Sequence, residues 1–374
     1  TAAVFSQAPS DLYVSGMYAY VVDEGDDTLR IYDVSTSSPA QVGIASTGTD
    51  PQAVFVDGKY AYITNNTSNT LQIFDISKPS APRVVTSTTT APVPTYTYVA
   101  GGYAYVVNNH STPANSSLQI FNIASSTPEL VGAILNGGAW KVVVQNGFAY
   151  VPIFNNPSTL QIIDVRNPRA PRQISNFALS ATGAPGDIEI SGKYVYVLNR
   201  DEDNFQIIDI SDPYNPRLLS TTVVDDLPLA LAVYGRYVFT ASYNSGTVNT
   251  YDVSDPTTPR RLAKFSELGG ASGVQNALFA SGRYLYVLDG VHARSSVQKW
   301  DIGGIESTAG IAHSLEAGQL QVRNDLQISG QLQVANSLTA GNGGILSAGP
   351  IAVMATSTLT NKTSAFFGNN VFIG

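Results

Sequence analysis

Oxygen-rich clusters are the first residues in this chain that suggest chemistry. DEGDDT places Asp23, Glu24, Asp26 and Asp27 within five positions, and RDEDN sets Asp201, Glu202 and Asp203 side by side. Hard cations want several such oxygens, so calcium is the one ion these loops suggest. Neither spacing matches an EF-hand or a nonapeptide calcium repeat, so solvated loops are the expectation and no cofactor is implied. Histidine adds little, since only His110, His292 and His313 exist and no H-x-x-x-H pair occurs. There is no G-x-S-x-G and no Gly-rich phosphate loop. Zero cysteine excludes disulfides, zinc–thiolate sites, thiol catalysis and iron–sulfur clusters. Catalysis is therefore not expected. A pair of carboxylates converging across a channel is the one formal route left.

Whatever positions these residues is built mostly from strands. Charged residues make up 13% of the chain, about half the usual share, too few to wet the outer faces of many helices. Twenty Tyr, with 32 Gly and 20 Pro, favour short strands and tight turns. A net charge of −8 and a pI near 4.8 argue against nucleic acid as a partner. No apolar run reaches the ~18 residues of a spanning helix, so no transmembrane segment is expected.

The sequence repeats at a period of about 45 residues. A turn and an aromatic strand recur as SGMYAYVV, DGKYAYIT, AGGYAYVV, QNGFAYVP, SGKYVYVL, YGRYVFTA and SGRYLYVL. A second motif follows each: LRIYDVS, LQIFDIS, LQIFNIA, LQIIDVR, FQIIDIS, VNTYDVS and VQKWDIG. An alternating segment precedes each Gly turn, and a Pro turn with another strand follows the second motif. Four strands per repeat, seven times, describe an all-β, seven-bladed β-propeller over residues 1–302. Nothing after Asp301 resembles an outer strand, whereas AAVFSQA does. Residues 2–8 are therefore expected to complete blade seven and close the ring. The polar residue of the second motif (Asp33, Asp75, Asn122, Asp164, Asp209, Asp252, Asp301) recurs in every blade, which indicates turn-holding rather than an active site. The inner segments AVFV, YTYV, KVVV, LALAV and ALFA read as nearly free of acids, with Glu189 in DIEI the exception.

These repeats resemble the LVIVD-repeat β-propellers, through strands such as LQIIDV and FQIIDI. The resemblance implies a bacterial or archaeal protein, exported or surface-located, without an assigned activity. It says nothing of a ligand. The localisation expected for the whole chain is extracellular, on a cell or virion surface.

Strand order puts Lys59, Lys193, Arg236, Arg283, Arg83, Arg172, Arg217 and Arg260 on the hairpin side. The acidic clusters lie on the other, loop side, so one basic and one acidic face are expected. The loop side is where a propeller would bind something; its candidates are Asp23, Glu24, Asp26, Asp27, Asn109, His110, Asp201, Glu202, Asp203 and His292. Sequons stand at Asn65, Asn66, Asn109, Asn115 and Asn361.

Residues 303–374 differ in texture. GQLQVRNDLQISGQLQVANSLTAG repeats every six residues, with Leu320, Leu326, Leu332 and Leu338 at one position and Val322, Ile328 and Val334 two later. Four hexads give little more than one coil of a β-helix, so several chains winding together, a trimer first, are expected. The pattern is similar to stalk segments of phage tail fibres and bacterial surface fibres. Phe366, Phe367, Val371 and Phe372 would pair with another subunit or pack on the propeller. The leading expectation is a non-catalytic structural subunit of a surface filament, fibre or coat, with itself as partner. The alternative is an adhesin or viral receptor-binding protein whose loop face takes a surface glycan or protein.

Overall fold

The computed structural model describes residues 2–4, 8–36, 38–110, 112, 115–125, 127–135, 137–154, 157–180, 184–265, 275–289 and 296–302. Expectations for His292 and for every tail position named above lie outside the described residues.

Each repeat forms a four-stranded antiparallel sheet, and seven sheets follow one another along the chain. The inner strands are Pro9–Ser15, Pro51–Asp57, Pro94–Ala100, Val143–Gln145, Pro185–Ser191, Pro228–Tyr234 and Gln275–Ser281. Second strands such as Tyr60–Asn65 have five consecutive buried residues, because a neighbouring blade covers each face. Outer strands such as Arg83–Thr89 are mostly exposed at the rim. The inner hairpins turn on Gly16, Gly58, Gly101, Gly192, Gly235 and Gly282, whose φ of 57–60° side chains rarely adopt.

The core lies between blades rather than within them. The buried apolar side chains of the described residues form seven clusters, one for each pair of neighbouring blades. Leu12, Val14 and Tyr32 of blade one pack against Tyr286, Leu288 and Val297 of blade seven, so the ring is closed by packing. It is also closed by pairing. Ala2–Val4 runs antiparallel to Ser296–Asp301, with Ala3 opposite Val297. This is the expected N-terminal closure, carried by three residues; residues 5–7 lie outside the described ones.

The recurring acid holds its turn, as expected. Asp33, Asp75, Asn122, Asp164, Asp209 and Asp252 each accept the backbone N–H two residues on, at 2.8–3.1 Å. The same acids overturn the expectation of a basic face. Arg83 pairs with Asp75 at 3.0 Å, Arg236 with Asp252 at 3.4 Å, and Arg283 with Asp301. Asp164 meets both Arg166 (2.6 Å) and Arg172 (3.9 Å). The hairpin face is thus an alternation of both signs, since the turn acids emerge beside the basic residues.

Neighbouring blades also touch at the rim. A Cβ on Gly132 would lie 2.0 Å from the carbonyl oxygen of Pro168 in the next blade's Pro turn, and one on Gly43 would meet Pro79 equally closely. Blade five has Ser220 at this register, and its hydroxyl donates to the Pro256 carbonyl at 2.7 Å. Gly132→Ala must therefore push backbone from backbone. We expect a loss of roughly 2–3 kcal/mol, read as a lower urea midpoint with an unchanged slope.

Candidate functional site

Six of the seven inner strands begin with the same irregularity. The register slips between Pro9 and Asp11, Pro51 and Ala53, Pro94 and Tyr96, Pro185 and Asp187, Pro228 and Ala230, and Gln275 and Ala277. A bulge releases one residue from pairing and re-aims it. Here the released residues include Ser10, Gln52, Thr95, Gly186 and Leu229, and all five line a cavity of about 200 Å³ at the loop-side mouth of the channel. Trp140 supplies blade four's share of the same wall and is 47% exposed. Asp11, Tyr96, Lys141 and Arg200 complete it.

The register identifies the next ring of side chains. Tyr13 faces Tyr20, Val143 faces Tyr150 and Glu189 faces Tyr196 across equivalent hairpins, so Lys141 stands where Asp11 and Asp187 stand in their blades. The seven residues at this level are Asp11, Ala53, Tyr96, Lys141, Asp187, Ala230 and Ala277. One level deeper are Tyr13, Phe55, Tyr98, Val143, Glu189, Ala232 and Phe279. Four of these are aromatic and form an arc, with centroids 4.7 Å apart for Tyr13–Phe279, 4.8 Å for Tyr13–Phe55 and 4.9 Å for Phe55–Tyr98. An apolar arc therefore underlies a charged mouth.

The charges are held in definite ways. Asp11 Oδ2 accepts the N–H of Val54 at 3.0 Å, and Asp187 Oδ2 accepts that of Leu231 at 2.9 Å. Both bonds run to the inner strand of the next blade, so these acids clamp blades together. Lys141 Nζ lies 2.8 Å from Asp187 Oδ1 and 5.1 Å from the Tyr96 ring centroid. Burial pushes the Asp11 carboxyl up to about 6, against the opposing pull of Lys141. Burial and the Asp187 charge push Glu189 up to about 8. Lys141 stands near 12: burial alone would lower it, but Asp187, Asp11 and Glu189 outweigh that. Glu189 keeps some accessible surface where its strand faces the channel.

Glu189 makes stability depend on pH. The folded protein holds this proton more tightly than the unfolded chain, whose reference is 4.5. Its contribution is therefore complete below about 4.5 and is lost as pH rises through about 8. Glu189→Gln keeps the neutral shape without the titration. Thermal unfolding should show no change at pH 4.5 and a gain of roughly 2–4 kcal/mol at pH 8.5. An equal effect at both pH values would count against this account.

The loop-face candidates serve mainly to hold loops. Asp23 is fully buried and accepts the Gly25 N–H at 3.0 Å, and Arg30 pairs with Asp26. Asp27 and Asp203 have φ of 54° and 49°, and their carboxylates accept the N–H of Asp50 and of Leu227, each at 2.7 Å. Asn69 does the same for Val93 at 2.8 Å, which makes this a repeated blade-to-blade device. Asp201 holds Arg200 at 3.0 Å. Glu24 accepts from Gln52 at 2.9 Å, so these two candidates reach the mouth through the residues they hold. Glu202 lends its backbone carbonyl to Asn204 at 3.1 Å. The backbone N–H of Asn109 reaches the Val93 carbonyl at 2.8 Å, and His110 Nδ1 accepts the Thr112 N–H at 2.9 Å. Among the described residues no group of three or more His, Asp or Glu is placed to hold a metal. Of the sequons, Asn65 is fully buried and bonded to Thr70 and Gln72, which bars a glycan there, whereas Asn115 is exposed.

Sequence reasoning missed Asp11, Lys141, Asp187 and Trp140. The signal was present: PSDLYV, AWKVVV and PGDIEI, set in register on their hairpins, place two acids and a lysine where other blades carry Ala or Tyr.

The sequence matches the LVIVD repeat model over residues 8–47, 48–90, 136–178 and 182–223, so the chain carries LVIVD repeats. No curated protein matches it. Among solved structures, Kuenenia stuttgartiensis hydrazine synthase is similar over 79% of this chain and 96% of its own, with 14% identity and a TM-score of 0.65. A functionally unknown protein from Desulfotomaculum acetoxidans aligns over 76% of this chain and 99% of its own, at 15% identity and a TM-score of 0.61. A putative 6-phosphogluconolactonase from Bacteroides fragilis aligns over 69% and 84%, at 17% identity and 0.60. At these identities the likeness is one of fold.

Proposed function

We propose that this LVIVD-repeat propeller is a non-catalytic, extracellular binding subunit, displayed on a cell or virion surface, whose loop-side channel mouth recognises a partner. One observation supports this reading. The devices that build the fold recur from blade to blade, whereas the side chains at the mouth do not: Asp, Tyr, Lys, Asp and three Ala share one register. A residue kept for architecture would repeat, and departures from a repeat mark where another demand prevails. The mouth's charges are committed to other protein groups, Asp11 to Val54, Lys141 to Asp187 and Arg200 to Asp201, which favours recognition over catalysis.

An array of immobilised polysaccharides and surface proteins, probed with the full chain and with Trp140→Ala, tests the proposal. Binding lost in the variant supports it; equal binding by both, or none by either, refutes it. The hexad positions Leu320 to Leu338 favour a second reading, a structural filament or coat subunit, and assembly belongs to both. Negative-stain images should show trimers or filaments, and monomers would overturn the assembly.

A further inference from the structure

We infer that the channel mouth takes a single neutral pyranose ring, the terminal sugar of a glycan, stacked on Trp140 and hydrogen-bonded along its edge by Asp11, Gln52 and Arg200. This rests on the binding reading above and specifies its ligand. Charge is the first argument. Lys141 is committed to Asp187 at 2.8 Å and Arg200 to Asp201 at 3.0 Å. Among the described residues no unpaired lysine or arginine is left at the mouth to compensate a phosphate, sulfate or carboxylate, and desolvating an unpaired charge there is costly. A cationic ligand would meet Lys141 and Arg200 in the wall.

Hydrogen-bonding capacity is the second argument. Gln52 gives its Nε2 to Glu24, which leaves its carbonyl oxygen as an acceptor. Ser10 Oγ is buried and has no hydrogen-bond partner among the described residues. Asp11 has one oxygen bound to Val54 and lines the cavity. The wall therefore offers the acceptors Asp11 and Gln52 together with the donors Arg200 and Ser10. A row of hydroxyls, each both donor and acceptor, satisfies such a wall. Shape is the third. The exposed indole offers a flat apolar face beside this polar edge, matching a sugar ring with its C–H face and hydroxyl rim. A cavity of about 200 Å³ holds one ring and leaves the remainder of a chain outside.

The two tryptophans make the test direct, because Trp300 lies in blade seven beside Phe265. In the full-length Trp300→Phe protein, emission reports on Trp140 alone. We expect a saturable change with at least one of the methyl glycosides of glucose, galactose, mannose, fucose and N-acetylglucosamine, with a dissociation constant on the order of millimolar. Gln52→Ala and Asp11→Asn should each weaken it about tenfold or more. Acetate, phosphate and tetramethylammonium should give no saturable change. A response to the charged probes alone, or none to any glycoside while Trp140→Ala still abolishes array binding, overturns the saccharide and leaves the binding reading standing. Array binding unaffected by Trp140→Ala overturns both.

Discussion

Lys141→Met is expected to destabilise the propeller by about 3–5 kcal/mol at pH 8, a substantial part of the stability of an ordinary domain. The lysine is the cation on which Asp187, Asp11 and Glu189 all act. Asp187 is 2% exposed and accepts the Leu231 N–H, so removing the ammonium takes the nearest cation from a buried carboxyl that keeps its backbone bond. Methionine conserves much of the chain's volume, which separates the charge effect from a cavity. The loss should shrink at pH 5, where Asp11 and Glu189, standing at about 6 and about 8, take up protons. Thermal melts at both pH values read this out, and adding Asp187→Asn should recover part of the loss. A Lys141→Met protein equally stable at both pH values, or one not rescued, would sink the account of a single coupled cluster.

That cluster also shows what the sequence could and could not display. The blades were legible because their signals repeat: a Gly at φ near 58°, an acid bonded to the N–H two residues on, an aromatic strand buried on both faces. Repetition amplifies architecture and hides its exceptions. Asp11 in PSDLYV reads as a polar start to a strand until Val54 is seen donating to it from the next blade, 43 residues on. The acidic loops bind their own turns and neighbours. DEGDD looks like a ligand cluster in one dimension, yet Asp27 is spent on Asp50 and Asp26 on Arg30. The basic face proved mixed because the turn acids share its side, as Asp252 does beside Arg236.

Deleting residues 1–7 should be the other large loss, and it tests how the ring is held shut. Ala2, Ala3 and Val4 pair with Gln298, Val297 and Ser296, and without them blade seven keeps three strands and an open outer edge. The ladder bonds of three residues amount to about 3 kcal/mol. In a propeller of this size that lowers Tm by roughly 6 °C. Packing of blade one on blade seven persists through Leu12, Tyr286 and Val297, so the truncated ring should remain folded rather than collapse. Its weak point moves to blade seven, which should exchange its amide protons first. A synthetic peptide of residues 1–7, added in excess, should restore Tm by re-entering the vacant edge as a donor strand. A truncation that leaves Tm unchanged would show that blade packing closes the ring and that the terminal strand is ornament. Restoration by the peptide would instead make that edge a natural acceptor for a strand from another chain.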